Sequence, residues 1–102
     1  MDRIAMLTEI LARNPSDAFA RYGLAIEHSK AGQTEAALVE FGKLLELHPD
    51  YTAGYFMAAQ TLAAASRKDE ARKMLHDGIA SAVRTGNQHA QTEMEAMFQE
   101  LG

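Results

Sequence analysis

The chain contains two prolines, Pro15 and Pro49, and they stand 34 residues apart. Each closes a stretch of similar apolar spacing, "RIAMLTEILARNP" before Pro15 and "ALVEFGKLLELHP" before Pro49. Proline lacks a backbone N–H and clashes with the preceding turn, so it ends a helix, and each proline is followed at once by a new periodic segment. A fixed period of this size implies a supersecondary unit that buries its apolar face only by stacking on a neighbour.

The residues between the breakers favour helix. Ala, Leu, Glu, Lys and Met dominate, β-branched residues are sparse, and no period-two run persists. Asn14-Pro15, Gly32, Pro49, Ser66 and Gly86-Asn87 divide the chain into about six helices, expected over 2–13, 16–31, 34–47, 51–65, 68–84 and 88–101. Ser16 or Asp17 is expected to cap the second helix, Thr34 or Gln33 the third, and Asp50 the fourth. The loops are short, which places consecutive helices antiparallel and adjacent. The last helix sets Met94, Met97, Phe98 and Leu101 along one stripe. Gly23, Gly42, Gly54 and Gly78 fall inside helices, where glycine costs roughly 0.5–1 kcal/mol relative to alanine, so close helix approach is expected at each.

The chain resembles the tetratricopeptide repeat (TPR) family, whose unit is a helix pair of this length. A unit begun at Ala18 sets Leu24 and Ala25 at the family's Leu-Gly pair, Gly32 at its turn glycine, and Ala37, Phe41 and Pro49 at its alanine, aromatic and terminal proline. A unit begun at Thr52 sets Tyr55, Ala59, Ala71 and Leu75 at corresponding sites. Arg21, His28, Ser66 and Val83 depart from the pattern, and without a proline at residue 83 the fifth helix should overrun to Arg84. The resemblance implies an all-α fold, antiparallel helical hairpins stacked as a short right-handed superhelix. One domain would span residues 1–102, with a helix of a partial unit at 2–13, unit one at 18–51, unit two at 52–85 and a capping helix at 88–101.

It also implies a concave groove lined by the first helix of each unit. Carried over position by position, the groove residues are Phe19, Tyr22, Ile26 and Ser29 from unit one, and Ala53, Phe56, Gln60 and Ala63 from unit two, with Met57 beside the latter. The carboxylate clamp known in the family needs Lys, Asn and Arg, whereas those positions here hold Tyr22, Ile26, Met57 and Ala53. The expected function is therefore a non-enzymatic interaction module that holds a protein or peptide segment in an apolar groove. The alternatives are that the same apolar faces form a homodimer or assembly, or that the terminal helix already fills the groove.

Other chemistry finds little footing. Net charge is −4 and the basic residues are dispersed, which disfavours nucleic acid as a partner. The chain has no cysteine, and His28, His48, His76 and His89 lack the i, i+4 spacing that sets two ligands on one helix face, so no metal or other cofactor is expected. No nucleophile elbow, phosphate-binding glycine loop or HExxH motif occurs. His48-Pro49-Asp50 matches the loop tripeptide of J-domain co-chaperones, but the preceding helix carries Glu40, Lys43 and Glu46 where that family is basic. No run of about 18 uncharged apolar residues is present, so neither a membrane span nor an export signal is read and the expected location is the cytoplasm.

Overall fold

The computed structural model describes residues 2–102. Six helices follow one another: α1 (Arg3–Arg13), α2 (Ala18–Lys30), α3 (Thr34–Leu47), α4 (Thr52–Ala64), α5 (Lys68–Thr85) and α6 (Gln88–Leu101). Among the described residues there is no strand. The starts of α2 and α4 are 34 residues apart, whereas α6 starts 36 after α4 because α5 runs through Val83 and Arg84 to Thr85. The absent proline thus displaces the last helix by two residues.

Asp2, Asp17 and Asn87 cap α1, α2 and α6, each accepting a hydrogen bond from the backbone N–H three residues on, at 2.7, 2.9 and 3.1 Å. Asp50 does not cap α4. Tyr51 holds that position without a side-chain bond, because the Asp50 carboxylate is turned to the Arg84 guanidinium, 2.8 Å away. Gln33 precedes α3, likewise without a capping bond. The turns after α2 and α4 are the same motif one unit apart: Gln33 N–H donates to the His28 carbonyl and Arg67 N–H to the Leu62 carbonyl, each at 2.9 Å. The residue that reverses the chain is left-handed in both, Gly32 at φ 76° and Ser66 at φ 62°.

The core is modular. Leu7, Leu11, Ala20 and Leu24 join α1 to α2; Ala25, Ala37, Phe41, Leu44 and Ala58 join α2, α3 and α4; Tyr55, Ala59, Leu75, Ala82 and Met94 join α4, α5 and α6. Burial follows the period, since Ala25 and Ala59, Ala37 and Ala71, and Phe41 and Leu75 are all essentially inaccessible pairs one unit apart. Where unit one has the buried Leu44, unit two has Gly78, whose backbone is met by Tyr55 and Met94. A Cβ there would lie 2.6 Å from both Tyr55 Cβ and Met94 Sδ.

Arg21 and Tyr55 occupy the same position of successive units, and both donate to the carbonyl of the proline six residues earlier, Arg21 to Pro15 at 2.8 Å and Tyr55 to Pro49 at 2.7 Å. The departure from an aromatic at Arg21 thus preserves the contact that joins a unit to the loop before it. Arg21 also meets Glu40 at 2.6 Å with both side chains largely buried. His48 belongs to the same system, its Nε2 donating to the Ser16 carbonyl at 2.8 Å.

Backbones approach along one side only. α2 lies against α4 and α4 against α6, whereas α3 and α5 do not come together. Helices close on one face and splayed on the other give a curved slab, with α2, α4 and α6 on the inner face.

Candidate functional site

The residues the sequence nominates lie on α2 and α4. Tyr22, Ile26 and Met57 are half-buried against the cluster of Ala25, Ala37, Phe41, Leu44 and Ala58. Phe56 is half-buried on the next cluster, beside Met97 of α6. Ser29 Oγ and Thr61 Oγ1 lie 2.8 Å apart, and Thr61 donates onward to the Met57 carbonyl, so Ser29 is occupied in holding α2 to α4. Phe19 stands apart on the first turn of α2, 70% exposed. Ala53 and Gln60 are exposed on α4.

These eight side chains do not line one hollow. Phe56 and Gln60 open onto a hollow of about 400 Å³ completed by Glu93, Ala96, Met97 and Glu100 of α6. Ala53 lines a separate recess with Asp50, Tyr51, Thr52, Thr85 and Asn87. The terminal helix therefore covers part of the inner face and builds a wall of what remains open.

The sequence did not nominate Tyr51 for the groove, and it offered α6 as a cover without naming which of its residues would line what stays open. The Tyr51 ring is 5.2 Å from that of Tyr22, tilted by 50°, and extends the aromatic surface toward α4. Burial pushes the Tyr22 hydroxyl above its ordinary pKa, with Tyr51 adding to it; burial and then the Asp17 charge do the same for Tyr51. Counting one unit on from Phe56 and Gln60 gives Ala90 and Met94, of which Met94 is fully buried. The displacement of α6 brings Glu93, Ala96, Met97 and Glu100 to the hollow instead.

On the outer face a second hollow of about 400 Å³ separates α3 from α5, with Phe41, Gly42, Leu62 and Met74 among its lining residues. Arg67 bridges its rim by bonding Glu35 and Glu70. The bonds to Glu70 and then Glu35 raise the Arg67 pKa, and Arg67 holds the Glu70 carboxyl below its ordinary range. Among the described residues no group of His, Asp and Glu is placed to hold a metal ion. No described helix is long and apolar enough to cross a membrane.

Known proteins share this architecture. A TPR repeat-containing protein of Pseudomonas aeruginosa is 30% identical over 95 residues, spanning 93% of this chain and 90% of its own. The solution structure of a tetratricopeptide repeat domain protein from Salinibacter ruber superposes with a TM-score of 0.80 at 32% identity, covering 86% of this chain and 89% of that one. The pHsp70 complex of the TPR2B domain of yeast Sti1 matches with a TM-score of 0.89 over 96% of this chain and 78% of the other, at 19% identity, a likeness of fold. Residues 28–91 match the tetratricopeptide repeat family itself, and with the unit-spaced core and paired turns described above, the chain belongs to that family.

Proposed function

We propose that this protein holds a segment of another protein on its inner face, through apolar and aromatic side chains of α2 and α4 and the wall supplied by α6. Tetratricopeptide repeat domains bind protein or peptide partners, and helical-repeat scaffolds take their specificity from the residues on the concave side. The observation that supports the reading is the packing of α2 and α4: Tyr22, Ile26 and Met57 are half-buried on one core cluster, and Phe56 opens onto the hollow at the α4–α6 junction. Repeat units are taken as residues 18–51 and 52–85, with 2–13 as the second helix of an incomplete unit and 88–101 as the covering helix. Without lysines or arginines at the clamp positions, the segment held is not an acidic carboxyl terminus. The role is binding without catalysis, and the cytoplasm is the proposed location.

The test uses exposed positions, so that the fold is spared. Phe19→Ser with Ala53→Glu should leave circular dichroism and melting temperature near wild type and abolish capture of partners that the wild type retains. Loss of those partners from Val39→Glu on the outer face, with retention by the inner-face variant, would reverse the assignment. A second reading, assembly of identical chains, is favoured by Met6 and Ile10, which are 49% and 42% exposed on α1. Light scattering after size exclusion distinguishes the two, since a chain that stays monomeric at high concentration removes the second.

A further inference from the structure

The recess at Ala53 and the α4–α6 hollow differ in the charge they leave free. Around Ala53 the carboxylate present, Asp50, is already bonded to Arg84 through two contacts of 2.8 and 2.9 Å. At the α4–α6 hollow both ionisable lining residues, Glu93 and Glu100, are acidic, and no basic side chain shares the lining. Glu93 has His89 at 3.1 Å, one helical turn away, and that pair is an ion pair only when the imidazole is protonated. Among the described residues Glu100 has no ion-pair partner. Phe56 and Met97 stand in the same hollow, partly buried on the core.

We infer that the segment bound on the inner face is apolar where it crosses Tyr22, Ile26 and Phe56 and carries a lysine or arginine at its α6 end, where Glu93 and Glu100 receive it. The inference rests on the proposed inner-face binding and adds the partner's charge and polarity. An acidic segment would bring like charges together at the hollow, which costs affinity and slows encounter. A neutral apolar segment would cover two carboxylates without pairing them, which disfavours it relative to a basic one. Apolar burial supplies most of the affinity, and the carboxylates select among partners and fix which end of the segment lies over α6. Methionine at positions 57 and 97 suits segments whose apolar residues vary in shape.

The experiment is selection of a random displayed peptide library on the folded full chain, repeated on Glu93→Gln/Glu100→Gln and on Ala53→Glu. The expected result is enrichment of apolar peptides with Lys or Arg concentrated at one end, loss of that bias on the double glutamine variant, and loss of the peptides themselves on Ala53→Glu. A synthetic selected peptide should bind the double variant about two- to tenfold more weakly at low salt, the range of one or two exposed ion pairs, with the difference shrinking at high salt. Selected peptides that are apolar without basic residues, or acidic, would overturn the inference and leave the inner-face reading standing. Peptides unaffected by Ala53→Glu, or no enrichment at all, would overturn both.

Discussion

At the scale of single residues, the close helix approach expected at four helical glycines holds at Gly78 and fails at Gly42. Gly78 is the meeting point of α4, α5 and α6, and any Cβ would collide with Tyr55 Cβ, which is fixed to its backbone. Gly42 lies inside α3 with nothing within 4 Å of where a Cβ would stand. Gly78→Ala is therefore expected to destabilise the fold by about 1–3 kcal/mol through overpacking, and Gly42→Ala to stabilise it by roughly 0.5–1 kcal/mol by lowering the cost of the helix. Paired denaturant unfolding curves check both; equal effects would mean that the close approach at Gly78 is misplaced. The tyrosines give a pH test. Tyr22 and Tyr51 have pKa values raised in the folded chain above the ordinary 10.0. Their contribution to stability is thus complete below that value and is lost as pH rises through the folded values, where the unfolded chain releases protons more readily. Tyrosinate absorbance, assigned with Tyr22→Phe and Tyr51→Phe, should show both ionising late and the melting temperature falling over the same alkaline range.

Between residues and the whole lie the helices and the turns that pair them. The turns after α2 and α4 have one hydrogen-bond pattern, but the second asks a serine to adopt φ 62°. A left-handed conformation costs an L-residue about 1–2 kcal/mol, part of which glycine would return as greater freedom in the unfolded chain, so Ser66→Gly should gain about 0.5–1 kcal/mol. Thermal unfolding reads this directly, and no gain would mean that the serine is not strained. The helix pattern was readable because breakers and apolar spacing act locally: Pro15, Gly32, Pro49 and Gly86 mark ends that the structure reproduces within a residue or two. Side-chain roles at those ends were less readable. Asp50 has the chemistry of a cap, yet a guanidinium 34 residues away claims it, and His48, which the sequence alone leaves without a role, holds the preceding loop through Ser16. Such choices are decided by tertiary geometry that local composition does not carry.

The molecule as a whole measures 40 × 29 × 18 Å, and the short dimension is that of two helix layers. The period identified the layers, since residues one unit apart have the same environment, from Ala25 and Ala59 to Phe41 and Leu75. The family resemblance, not the period, nominated the groove residues, of which Tyr22, Ile26 and Phe56 are partly spent on the core. The sequence anticipated the overrun of α5 and offered α6 as a cover for the groove, but not the register that sets Glu93, Met97 and Glu100 beside Phe56. The central claim is that partners are held on the inner face and not on the outer one. Site-specific photocrosslinking in the native cell tests it most directly, with a benzophenone side chain placed at Gln60 on the inner face or at Asp77 on α5, both exposed. The account predicts a protein adduct from Gln60 and none from Asp77; an adduct from Asp77 with none from Gln60 would contradict it.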